Sequence, residues 1–148
     1  MTMRTDTASG PSLEALYGEV QHFYARHMQL LDSGAAEEWA RGFTEDGAFW
    51  APTLPEPARG RAVLAGGVRK TAAELAEAGE THRHLISMLS VTPEEDGSLR
   101  VRSYAQVIAT AKGGEPRLYR MCVCDDVLVR DGGELLISER RVTRDDMP

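Results

Sequence analysis

Apolar positions repeat with a helical period through the first half of the chain and with a period of two through the second. In "PSLEALYGEVQHFYARHMQLLDSG", Leu13, Leu16, Tyr17, Val20, Tyr24, His27 and Leu31 recur at spacings of three and four, and Gly34 supplies a stop. That pattern predicts a long amphipathic helix. "AAEEWARGF" places Ala36, Trp39, Ala40 and Phe43 on one face of a short second helix. "TEDGAFWAP" predicts a turn and a strand, and the prolines of "TLPEPARG" predict a loop. "RAVLAGGVRKTAAELAEAG" predicts a third helix on Val63, Leu64, Val68, Ala72 and Leu75, weakened by Gly66 and Gly67. From residue 82 the segments "HRHLISMLSV", "SLRVRSYAQVIATA", "RLYRMCVCDDVLVR" and "ELLISERRVTRD" alternate as strands. "TPEEDG", "KGGEP" and "DGG" join them as hairpin turns. Helices followed by a run of antiparallel strands is an α+β order.

A chain of 148 residues is enough for one domain with a sizeable core, expected over residues 12–148 behind a loose tail at 1–11. The net charge of −6 opposes binding to nucleic acid or to an anionic membrane, since neither attracts an acidic surface. No apolar run approaches the roughly 20 residues of a membrane span. "MTMRTDTASGPS" has no apolar stretch of the signal-peptide kind. The two cysteines, Cys122 and Cys124, stand two apart on one predicted strand, a poor disulfide geometry, and predict a reduced, cytoplasmic protein.

The histidines raise the question of chemistry. His82 and His84 in "ETHRHLISM" share one strand face about 7 Å apart. A metal site would need an acid a few residues on and a further histidine, but positions 87 and 88 are Ser and Met, so no metal is expected. Proton transfer instead requires a carboxylate beside the imidazole, which fixes the ring's tautomer and stabilises the imidazolium formed when it takes a proton. Asp32 is the unusual acid. It falls near a helix C-terminus, where the dipole disfavours negative charge by about 0.3–1 kcal/mol. It pairs with His84 or, like Ser33, caps the next helix. Tyr24 and Tyr104 can point hydroxyls into a cavity, and Met88 and Met121 suit an adaptable lining. Glu139, Arg140 and Arg141 alternate, so one parity faces the cavity and the other does not.

Three stretches, "LLDSGAAEEWARGFTEDGAFW" (30–50), "THRHLISM" (81–88) and "ERRVTRDD" (139–146), resemble in this order the nuclear transport factor 2-like superfamily. Within it the chain looks like the SnoaL-like group of polyketide cyclases, scytalone dehydratase, dehydrochlorinase and ring-hydroxylating dioxygenase β subunits. The resemblance covers residues 12–145. It implies a cone-shaped barrel, a curved and mostly antiparallel sheet closed by three N-terminal helices around a conical pocket. It also implies a dyad of Asp32 and His84 acting as a general base without metal or cofactor, with Trp50 in the pocket wall and Arg140 holding an anionic or carbonyl group. His82 would border the pocket. The acid that polyketide cyclases carry on a late strand has only Asp125 or Glu139 to match it here.

Together these features predict an enzyme for a small, apolar, polyketide-like or aromatic intermediate, working by cyclisation, isomerisation or dehydration. The other reading is a non-catalytic subunit of the dioxygenase β kind. Three helices can cover one face of the sheet, so the apolar second face predicts a homodimer.

Overall fold

The computed structural model describes residues 10–147; residues 1–9 of the expected tail lie outside the described residues. Helix α1 (Leu13–Asp32) is followed by α2 (Ala36–Ala40), strands β1 (Phe43–Trp50) and β2 (Ala58–Arg59), and helix α3 (Arg61–Ala78). Strands β3 (Glu80–Pro93), β4 (Leu99–Ala111), β5 (Arg117–Asp131) and β6 (Glu134–Arg144) complete the chain.

Helix α1 starts where Ser12 accepts a hydrogen bond from the Ala15 N–H at 3.2 Å, and it buries Leu16, Val20, Tyr24, His27 and Met28. Gly34 turns the chain with a φ of 75°, and a Cβ there would lie 3.3 Å from Ala72 of α3. Glycine therefore serves both the turn and the close approach of the two helices. Phe43, expected on the second helix, instead opens β1 and is wholly buried. The main core lies between the three helices and one face of the sheet, around Val20, Tyr24, Trp39, Phe43, Leu128 and Ile137. No helix among the described residues is long and apolar enough to cross a membrane.

The six strands run in the order β2-β1-β6-β5-β4-β3. All neighbours are antiparallel except β1 and β6, which pair in parallel, so the sheet is mixed. The expected cone-shaped barrel is corrected here: the sheet is neither closed nor strongly curled. Closure would require β2 and β3 to exchange main-chain hydrogen bonds. With only two residues, β2 cannot match the fourteen-residue β3, and both remain edges.

Register sorts the side chains by face, because residues paired across neighbouring strands point the same way. His84 pairs with Val107, Ile86 with Ala105, Ala105 with Cys122, and Asp126 with Arg140. These residues share the face that carries the helices. Tyr104, Met121, Asp125, Glu139, Arg141 and Trp50 belong to the alternate rows and occupy the opposite face.

Candidate active site

Asp32 is the last residue of α1 and reaches the free edge of the sheet at β3. Its Oδ1 lies 2.6 Å from His84 Nδ1, and its Oδ2 accepts from the His84 main-chain N–H at 3.1 Å. A carboxylate oxygen only accepts, so His84 Nδ1 is the donor of this contact and Nε2 is the ring nitrogen left without a partner among the described residues. The Asp32 side chain is 7% exposed and that of His84 26%. The carboxylate is thus nearly shut from water, while the imidazole remains accessible. Two hydrogen bonds offset the unfavourable helix-terminal position of Asp32. Neither Asp32 nor Ser33 caps the next helix: Ala35 holds that position, and Ser33 Oγ donates to the Leu30 carbonyl. A cavity of about 150 Å³ opens beside the dyad, lined by Tyr24, Met28, Gln29 and Asp32 of α1 and by His84 and Ile86 of β3.

Behind the cavity wall lies a second polar cluster. Tyr24 donates to Asp126 Oδ2 at 2.6 Å, and Arg140 donates to both Asp126 oxygens at 2.9–3.2 Å. Arg140 also stands 3.0 Å from His27 Nε2; a guanidinium only donates, so His27 accepts. All four residues are buried. Burial, then the Arg140 charge, pushes His27 well below the ordinary histidine range, and the ring is neutral. Burial and the Asp126 carboxylate raise Tyr24, which stays a phenol. For Arg140, burial opposes the charge but the Asp126 carboxylate outweighs it and raises its basicity. Asp126 is a carboxylate on the buried parity of β5, in step with Cys122, Cys124 and Leu128. That alternation was the available signal for a buried acid needing a cation, and sequence reasoning missed it. The resemblance places Arg140 free to hold a ligand; the structure engages it on Asp126 and His27.

Of the other expected site residues, Tyr24 lines the cavity but has its hydrogen committed to Asp126. His82 shares the face of His84, with Nε2 3.0 Å from Glu80 Oε1 and its ring 5.0 Å from that of Tyr119. Trp50, Tyr104, Met121 and Glu139 lie on the opposite sheet face, as does Asp125, and are not brought to the dyad. Trp50 there packs beneath Arg141, whose guanidinium carbon is 4.4 Å from the ring centre. Met88 occupies an irregularity of β3 with a φ of 56° and is 71% exposed. Among the described residues no group of three or more His, Cys, Asp or Glu is arranged to hold a metal ion.

The sequence profile of the SnoaL-like domain matches residues 14–141. Among solved structures, ActVI-ORFA from Streptomyces coelicolor is 31% identical, with a TM-score of 0.84 over 91% of this chain and 98% of that one. A protein from Catenulispora acidiphila in complex with S-DNPA is 36% identical, with a TM-score of 0.77 over 90% and 96% of the two chains. A protein from Novosphingobium aromaticivorans assigned as the β subunit of an aromatic-ring-hydroxylating dioxygenase is 22% identical, with a TM-score of 0.72 over 91% and 92%, and shares the fold. No curated protein matches the chain.

Proposed function

The chain belongs to the SnoaL-like family, and on that premise we propose that it is an enzyme of natural-product biosynthesis using His84 and Asp32 for acid–base catalysis on a small, largely apolar molecule. The observation that carries this reading is one imidazole with Nδ1 committed to a buried carboxylate and Nε2 left free beside a cavity. His84 takes a proton from a carbon next to a carbonyl and returns it elsewhere on the molecule, while Asp32 orients the ring and balances its charge. Isomerisation, cyclisation and dehydration can each begin with this step or with protonation of an epoxide or alcohol, and the chain's own side chains supply both base and acid.

The S-DNPA complex of the Catenulispora relative supports a ligand-binding role for the family. The cavity of about 150 Å³ is smaller than the roughly 300–1,000 Å³ of a typical small-molecule site, so only the reacting end fits within its present lining. The likeness to the dioxygenase β subunit carries the fold alone.

The test is proton exchange. Aromatic polyketide-type ketones, together with S-DNPA, are incubated in deuterium oxide with the wild-type protein and with His84→Ala. Deuterium entering a carbon next to a carbonyl only with the wild type supports the reading. Equal exchange with both proteins rejects His84 as the base.

We further propose a cytoplasmic homodimer joined through the sheet face opposite the helices. Leu85, Tyr104 and Leu118 are 46%, 44% and 58% exposed on that face, and such a band favours burial against a partner. The two free cysteines suit a reducing compartment. Light scattering at working concentration should give twice the chain mass; a monomer would refute the dimer.

A further inference from the structure

Resting on the proposed role of the dyad, we infer that Arg120 is the anion-holding residue of this site and that the molecule handled by His84 carries a carboxylate or a similarly compact anionic group. Val107 pairs with His84 on one side and Arg120 on the other, so the two residues stand in one row of the helix-bearing face. Their backbones are two strand spacings, about 10 Å, apart. An irregularity in the β4–β5 pairing leaves Tyr119 without a counterpart on β4. That bulge brings the Tyr119 ring beside His82 and puts the Arg120 guanidinium carbon 4.7 Å from its centre.

The cations of this end differ in their partners. Arg117 and His82 share Glu80 Oε1, each at 3.0 Å. Arg144 takes Asp146 through two hydrogen bonds of 2.9 and 2.6 Å. Among the described residues Arg120 hydrogen-bonds only to the Tyr119 hydroxyl, at 3.1 Å. Among the described residues no carboxylate lies within salt-bridge distance of it, and its Nε is buried without a hydrogen-bond partner. A half-buried cation without a counter-ion is costly, and a carboxylate engaging the terminal guanidinium nitrogens would balance its charge. Arg140, a further arginine of this face, already has Asp126 and His27. Small apolar side chains, Val107, Ala105 and Cys122, lie buried beside the row from His84 to Arg120. A molecule too large for the cavity beside the dyad therefore finds its anchoring charge across Val107.

The test uses a matched pair of probes, 2-naphthylacetic acid and 2-naphthylacetamide, titrated calorimetrically into the wild type, Arg120→Met and His84→Ala. The expected result is that the wild type binds the acid at least about tenfold more tightly than the amide, the scale of one charge-assisted contact. Arg120→Met should lose that preference while binding the amide as before. Its thermal midpoint should be unchanged or higher, because a poorly partnered cation has been removed; a purely structural arginine would lower it. His84→Ala should keep the preference for the acid even if it abolishes proton exchange, so the two readings fail separately. Equal binding of acid and amide by the wild type, an unaltered preference in Arg120→Met, or no binding of the acid at millimolar concentration would each overturn the assignment.

Discussion

His84 and His27 each touch a charged neighbour, yet their surroundings differ in one decisive respect. His27 lies in the core, stacked between Phe23 and Trp39. Its Nε2 accepts from Arg140, and a Cβ on Gly42 would lie only 2.8 Å from its Nδ1. Nothing small can reach either nitrogen. His84 stands on an edge strand, and the bare edge lets Asp32 approach both its ring and its main-chain N–H. A further strand paired there would compete for that N–H. The open sheet and the dyad are thus one feature: the edge left unpaired is the place where a carboxylate can orient an imidazole and leave its other nitrogen free.

Three perturbations sharpen the contrast. The largest effect is expected at the dyad. His84→Ala should lower turnover by about 10²- to 10⁴-fold, equivalent to about 3–5 kcal/mol of barrier. Asp32→Asn should also lower it, and the double variant should be little worse than the poorer single one, because the pair acts as a unit. Well-folded variants with additive losses would show that the two residues act independently.

Next comes the buried ion pair. Asp126→Asn or Arg140→Met alone strands a charge in the core and should cost about 3–5 kcal/mol in chemical denaturation. Asp126→Leu combined with Arg140→Met should recover much of that loss. Single variants within about 1 kcal/mol of wild type would mean that water already reaches the cluster.

The smallest effect is a pH slope. Folding holds His27 neutral, whereas the unfolded chain protonates it near the ordinary histidine value of about 6.5. Unfolding therefore takes up a proton as pH falls below about 6.5. The His27 contribution is fully present above that value and declines by up to about 1.4 kcal/mol per pH unit on acidification. His27→Gln, whose amide oxygen can still accept from Arg140, should flatten the stability profile relative to wild type. Parallel profiles would show that His27 does not control the slope.

The three helices were legible because their apolar residues repeat at helical spacing and end at glycines or turn residues, as at Gly34 and Gly79. The long strands announced themselves by strict alternation between hairpin turns. Asp32 and His84 stood out through their resemblance to a family and through the odd placement of an acid at a helix C-terminus. Alternation separates two faces without saying which one the helices cover, because that depends on pairing between strands far apart in sequence. Trp50, Tyr104, Met121 and Glu139 were therefore credible pocket residues until register put them on the other side. Asp126 and Arg140 meet only when β5 and β6 pair. Arg120 joins the row of His84 only through β4 and a bulge that no local pattern announces. Closure was equally non-local: a two-residue β2 cannot complete a barrel, and the edge it leaves open is where Asp32 reaches His84.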